Sequence, residues 1–151
     1  DNMFSKPGNM PKKIIEYCMK TNQEVPSTRG EIIRCVYESL VFKYRKTFEE
    51  IMKLTNKKYD KIFIVGGGVK DGLLCQMTAS FCNVSVFAGP IEATALGNIC
   101  AQLIASGHIK DIKKAREIIK NSIKPVKYLP SGNYDNEYQK FLEVIKRPIE
   151  I

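Results

Sequence analysis

The order of residue types along the chain predicts an α/β fold, helix-rich around a short parallel sheet. Three observations carry that expectation. Two short β-branched and aromatic runs, Lys61-Ile62-Phe63-Ile64-Val65 and Val84-Ser85-Val86-Phe87, interrupt an otherwise helical period. Each run is followed by a helical stretch, and strand–helix–strand–helix in sequence implies a parallel crossover. The 151 residues, 44% hydrophobic and 26% charged, have the balance of one globular domain with a core of its own.

The elements follow in order. Residues 1–9 carry Pro7 and Gly8 without periodicity and read as a loop. Pro11 suits the first turn of a helix running to about Lys20, with Ile14, Ile15 and Cys18 as its apolar stripe. Pro26 marks a break over 22–27. Thr28-Arg29-Gly30-Glu31 then matches a capping box, in which each side chain satisfies an orphan backbone N–H. Ile33, Tyr37, Leu40, Tyr44, Phe48 and Ile51 recur every three or four residues, so one long amphipathic helix reaches about Leu54 and closes a helical segment over 10–56.

The strand at 61–65 is apolar on both faces, the mark of a strand buried inside a sheet, and runs directly into Gly66-Gly67-Gly68. Leu73, Leu74, Met77 and Phe81 share one face of a helix over 70–82. Gly89-Pro90 turns the second strand into a helix from near Glu92, which carries Leu96, Ile99, Cys100, Leu103 and Ile104. Gly107 suits the left-handed residue that closes it, completing a β-α-β-α core over 61–107. The C-terminal helices fall in 111–147. The first, over 111–121, turns Ile112, Ala115, Ile118 and Ile119 inward. The second runs through Tyr134, Tyr138, Phe141 and Ile145 and stops before Pro148. A proline-flanked extended piece at 124–129 and a turn at Ser131-Gly132-Asn133 separate them. Two strands make a small sheet, so the chain reads as part of a larger one, with a strand edge that another copy or a missing segment would cover.

Composition removes several function classes. No run approaches the ~18 apolar residues that a membrane span needs, and Asp1 opens the chain with neither an initiator Met nor a basic-then-apolar leader. That start reads as a chain beginning partway. The net charge of +8 invites a nucleic-acid partner. However, 19 of the 24 cationic residues are Lys, scattered among Glu49, Glu50, Asp60 and Glu117, which favours solvated helix faces over a basic readout surface. Five cysteines (Cys18, Cys35, Cys75, Cys82, Cys100) contain no C-x-x-C pair, and His108 is the single histidine, so no zinc set of ordinary spacing can be assembled. Reduced, buried thiols in a cytoplasmic protein are the default reading, with a Cys18–Cys35 disulfide left open.

Strand, triple glycine, helix is an anion-binding geometry. Without Cβ atoms the backbone admits a phosphate or a flat ring, and the next helix offers free N–H groups at its positive end. A dinucleotide fingerprint fails, because the third glycine counted from Gly66 and Gly68 falls on Asp71. A Walker loop also fails, because Leu73 and Leu74 follow Gly72 where Lys and Ser or Thr belong. On the residues alone, a glycine turn that merely permits close strand–helix packing stays open beside the nucleotide reading.

The residues also carry a resemblance. Ile64-Val65-Gly66-Gly67-Gly68-Val69-Lys70-Asp71-Gly72-Leu73-Leu74-Cys75-Gln76, followed by Ala88-Gly89-Pro90-Ile91-Glu92-Ala93-Thr94-Ala95-Leu96-Gly97-Asn98, resembles the FGGY family of carbohydrate kinases. The likeness extends upstream through Arg34-Cys35 and Glu38-Ser39-Leu40 and covers most of the chain. It implies part of an actin-like, ribonuclease-H-like ATPase domain, the C-terminal lobe of a kinase that closes over ATP and a ketose. It further implies that Gly66, Gly67 and Gly68 contact adenosine or its phosphates. Asp71 stands where the family usually has Asn, so it is either a nucleotide contact or a helix-start residue favoured by the dipole. Glu92, at the second turn, is expected to be structural.

Phosphoryl transfer to a hydroxyl needs a carboxylate to take the proton, phosphate-binding loops and Mg²⁺. The resemblance places the catalytic Asp, the sugar pocket and the main phosphate loop upstream, so no catalytic residue and no metal ligand is assigned here, and Asp60, Asp71 and Glu92 are not the base. His108 is expected to be a capping or surface residue. The partners implied are ATP, a ketose and the missing N-terminal part of the same chain, with self-association of these 151 residues if they stand alone. A non-catalytic nucleotide- or partner-binding module and a basic nucleic-acid-binding domain are the alternatives.

Overall fold

Short polar side chains fix most of the helix starts. A computed structural model describes residues 2–147. In it Asn9, Thr28, Asp71 and Asp111 each accept a backbone N–H three residues on, from Lys12, Glu31, Leu74 and Lys114 at 2.9–3.2 Å. The helices they open are α2 (Met10–Lys20), α3 (Arg29–Thr55), α4 (Gly72–Cys82) and α6 (Ile112–Ser122). At Thr28 both halves of the capping box are formed. N–H and O–H donors of Ser27 and Thr28 hold the Glu31 carboxyl below the usual carboxylate range. Asn56 and Asn83 close α3 and α4 in the left-handed conformation, and Gly107, at φ 76°, follows α5 (Ala93–Ala105). A one-turn helix, α1 (Asn2–Ser5), occupies the stretch expected as loop, and Phe4 packs on Tyr17 with ring centroids 5.3 Å apart. The last helix is α7 (Asp135–Val144); the expected stop at Pro148 lies outside the described residues.

The sheet has three strands in the order β1 (Lys61–Ile64), β2 (Ser85–Ala88), β3 (Val126–Tyr128). β1 and β2 are parallel, as the crossover predicts. The extended piece before Leu129 adds a third, antiparallel strand, so the sheet is mixed and the 111–147 segment is not purely helical. The first strand departs from the expectation of burial. β1 lies at an edge, and Phe63 is 62% exposed. Its ring stacks on Phe87 at 5.4 Å, and Lys127 Nζ stands 5.6 Å from the Phe87 ring, so one sheet face presents an aromatic–cation strip. The other face carries Ile62, Val86 and Ala88.

Two separate clusters stand out among the buried residues described. The larger joins α3, α4 and α7 through Val41, Phe42, Met77, Phe81 and Tyr138. Arg45 ties its edge: it pairs with Glu49 at 3.1 Å and Asp135 at 2.7 Å, donates to the Phe81 carbonyl and lies 4.2 Å from the Tyr138 ring centroid. Tyr138 donates to Glu49, and burial together with that carboxylate pushes its hydroxyl pKa up. The smaller cluster joins α5 and α6 through Cys100, Ile109 and Ala115.

The buried face of α3 is not the stripe expected from spacing. Ile33, Leu40, Tyr44 and Ile51 are exposed, while Val41 and Phe42 are buried, because α4 and α7 meet α3 on an adjacent face. Likewise Ile112 and Ile118 of α6 are exposed, and Ala115 and Ile119 take the inward positions. The helix expected from residue 70 begins at Gly72, after a 3-10 turn over Gly66–Lys70. All five cysteines are free thiols, Cys18 and Cys35 included, and burial followed by the neighbouring Cys18 pushes the Cys35 thiol up to about 11. Lys12, Lys46, Lys61 and Lys114 each pair with a nearby acid. No described helix is long and apolar enough to cross a membrane.

Candidate functional site

Two glycine loops meet at the ends of the parallel strands. Gly66 donates its N–H to the Pro90 carbonyl at 3.0 Å, and Gly89 donates to Ile64 at 2.9 Å, so the loops after β1 and β2 are stitched together. Gly66 has φ 79° and Gly89 φ 137°, values that side-chain-bearing residues rarely adopt. Gly89 is also crowded, since a Cβ there would stand 3.4 Å from the Pro125 Cα.

Gly67 differs from both. Its φ lies outside the left-handed region, and a Cβ built on it meets no atom within 4 Å. Neither backbone strain nor packing requires glycine at this point. The residue is exposed, as is Gly68, and what its missing side chain leaves is bare backbone open to a flat or anionic group.

Asp71 closes the turn and starts α4. Its N–H donates to the Gly68 carbonyl at 3.2 Å, its Oδ1 accepts the Leu74 N–H at 3.0 Å, and its Oδ2 accepts the hydroxyl of Tyr37. Tyr37 and then Leu74 hold the Asp71 carboxyl below the usual carboxylate range, and the same bond raises the Tyr37 hydroxyl. Of the two roles left open for Asp71, helix start is the one its geometry fills, with both carboxylate oxygens engaged inside the chain. Tyr37 is the site residue that sequence reasoning placed only on the apolar stripe of α3. A Tyr in such a stripe still signals a hydroxyl in search of a partner.

The remaining candidates stand apart. Asp60 is exposed beside Lys61, Glu92 precedes α5 without a capping bond from its side chain, and His108 is exposed with Nδ1 2.9 Å from Ser106 Oγ. Among the described residues no three His, Cys, Asp or Glu side chains are placed to hold a metal ion. What Gly67 offers is exposed backbone with open space where a Cβ would stand.

Sequence comparison agrees with this architecture. Residues 2–106 match the family model for the C-terminal domain of the FGGY carbohydrate kinases, and the chain belongs to that family. Its fold is thereby part of the actin-like ATPase fold. Among individual relatives, the chain is similar to the rhamnulokinase of Bacillus subtilis, with 41% identity over 135 residues, 89% of this chain and 28% of that protein. It is similarly related to the rhamnulokinases of Halalkalibacterium halodurans (43% identity, 85% of this chain, 28% of that protein) and Enterococcus faecalis (41% identity, 95% and 30%). The chain therefore spans less than a third of the length of these curated relatives.

Proposed function

We propose that this chain forms the nucleotide-facing wall of an ATP-dependent kinase that phosphorylates a hydroxyl of a ketose, with rhamnulose as the acceptor. The observation that carries the reading is the bare surface of Gly67 at the junction of two glycine loops, in a chain of the FGGY family. Similarity to rhamnulokinases supports the choice of acceptor. Gly66, Gly67 and Gly68 lie against adenosine or its phosphates in this reading, and Asp71 shapes the turn from behind. Bound ATP supplies the phosphoryl group, and Mg²⁺ is held mainly by parts of the kinase outside this chain. Here the chain's own residues orient the nucleotide and leave proton transfer to a carboxylate elsewhere. The free thiols accord with a cytoplasmic protein.

Two outcomes test it. The full-length protein containing this chain is expected to convert ATP to ADP only when rhamnulose or a close ketose is present, measured by coupled ADP release. The 151 residues alone are expected to show no turnover under the same conditions. A full-length protein that is inactive on ketoses, or a turning-over isolated chain, contradicts the reading.

The same reading gives the uncovered surfaces an occupant. The open edge of β1 with Phe63, and the exposed stripe Ile33, Leu40, Tyr44 and Ile51 on α3, receive the remainder of the kinase chain. Without it, the isolated chain is expected to self-associate, giving a sedimentation coefficient that rises with concentration. A single monomeric species across a wide concentration range counts against this.

A further inference from the structure

We infer that Tyr37 is a positioning residue for the nucleotide, acting through Asp71 on the glycine turn; the inference rests on the nucleotide reading given above. The turn is anchored at both ends and free in the middle. On one side the Pro90 carbonyl holds the Gly66 N–H. On the other, the Gly68 carbonyl accepts the Asp71 N–H at 3.2 Å and lies 3.7 Å from Cys75 Sγ. Asp71 is the hinge pin of that second anchor. Its backbone carbonyl accepts the Cys75 N–H at 3.0 Å, its Oδ1 caps Leu74, and its Oδ2 is left for a donor from another element. Tyr37, 34 residues upstream on α3, fills that place.

The donor is well fixed. The Tyr37 ring packs against the Val41, Phe42, Met77 and Phe81 cluster, so its hydroxyl is carried by the most deeply packed part of the molecule. Through this one bond the orientation of the 3-10 turn is referred to α3, and Gly67 is held between the two anchors with open space where a Cβ would stand. A carboxylate with both oxygens engaged is a poor phosphate neighbour but a good brace, since a charged acceptor strengthens both bonds it receives. Without Tyr37 the Oδ2 lobe is free to swing toward solvent, or toward the anionic ligand that it would repel.

The test is steady-state kinetics on the full-length protein carrying Tyr37→Phe, which keeps the ring in the core and removes only the hydroxyl. The KM for ATP is expected to rise about 3- to 10-fold, the scale of one ordinary net hydrogen bond, since Tyr37 acts at one remove from the ligand, while the KM for the ketose and kcat stay within about twofold. A purely structural role would lower the unfolding midpoint and the active fraction and leave the ATP KM alone; that result overturns the inference. Asp71→Asn removes the charged acceptor that Leu74 and Tyr37 share, and is expected to raise the ATP KM in the same direction as Tyr37→Phe. A rise with Asp71→Asn while Tyr37→Phe is silent would put Asp71 itself on the nucleotide and also overturns it. Gly67→Val separates the two layers of argument. If Gly67→Val raises the ATP KM and Tyr37→Phe does not, only the positioning role falls; if both are silent, the nucleotide reading falls and takes the positioning role with it.

Discussion

Gly67→Val is expected to raise the KM for ATP of the full-length protein by at least about tenfold, with the ketose KM and the unfolding midpoint unchanged. The expectation follows from what is absent around this residue. A Cβ at position 67 meets no atom within 4 Å, and the backbone there does not occupy the left-handed region. A Cβ is therefore accommodated without a clash, and the branched methyls of valine add bulk on the open side of the turn. Losing close approach of a ring or phosphate at ~1.4 kcal/mol gives that factor of ten. Initial-rate kinetics over a range of ATP concentrations, paired with a thermal melt, checks both halves. Gly66 would be a poorer probe: its φ of 79° means that alanine costs about 1–2 kcal/mol of strain, and a lost activity could then be lost folding. An unchanged ATP KM in Gly67→Val would remove the nucleotide from this point of the turn, where neither strain nor packing calls for glycine.

Phe81→Ala is expected to cost about 3–5 kcal/mol of stability, as for other buried aromatic truncations. Phe81 is 1% exposed and lies at the centre of the larger cluster, with ring centroids 4.9 Å from Phe42 and 3.9 Å from Tyr134. Truncation removes both aromatic pairs and leaves a cavity walled by α3, α4 and the start of α7. Relaxation is limited, because Arg45 holds the Phe81 carbonyl and Asp135 at the same edge. Urea unfolding of the chain and the variant, compared at their midpoints, measures the loss. A difference under about 1 kcal/mol would mean that the three helices do not share one core.

Much of this architecture is legible in local sequence, because local chemistry causes it. Thr28 and Glu31 form the capping box that their spacing announces, and the strand–glycine–helix order places β1, the turn and α4 correctly. What escaped is set by distant partners. The apolar spacing of α3 names a stripe, yet the face actually buried, Val41 and Phe42, depends on where α4 and α7 land. β3 has three residues and no alternation, so only its pairing with β2 makes it a strand. At the candidate site the glycines were visible as a run, whereas the Tyr37–Asp71 bond spans 34 residues and two elements. Asp71 illustrates the limit well: its type and place allow both a ligand and a cap, and a tyrosine from another helix engages the oxygen that the cap leaves free.

The separation of the two clusters has a bearing on cooperativity. α5 and α6 share Cys100, Ile109 and Ala115 with each other, and none of these belongs to the cluster around Phe81. Elements held by separate clusters open separately as a rule, so hydrogen exchange is expected to release the amides of α5 and α6 before those of α3 and α4. The glycine loop at Gly89 is the doorstep of that pair, since α5 begins four residues later. An opening of that pair would reach the glycine-loop surface through Gly89 and Pro90. The Gly66–Pro90 and Gly89–Ile64 hydrogen bonds would carry that opening on to the first glycine turn, so the two loops answer to both clusters at once.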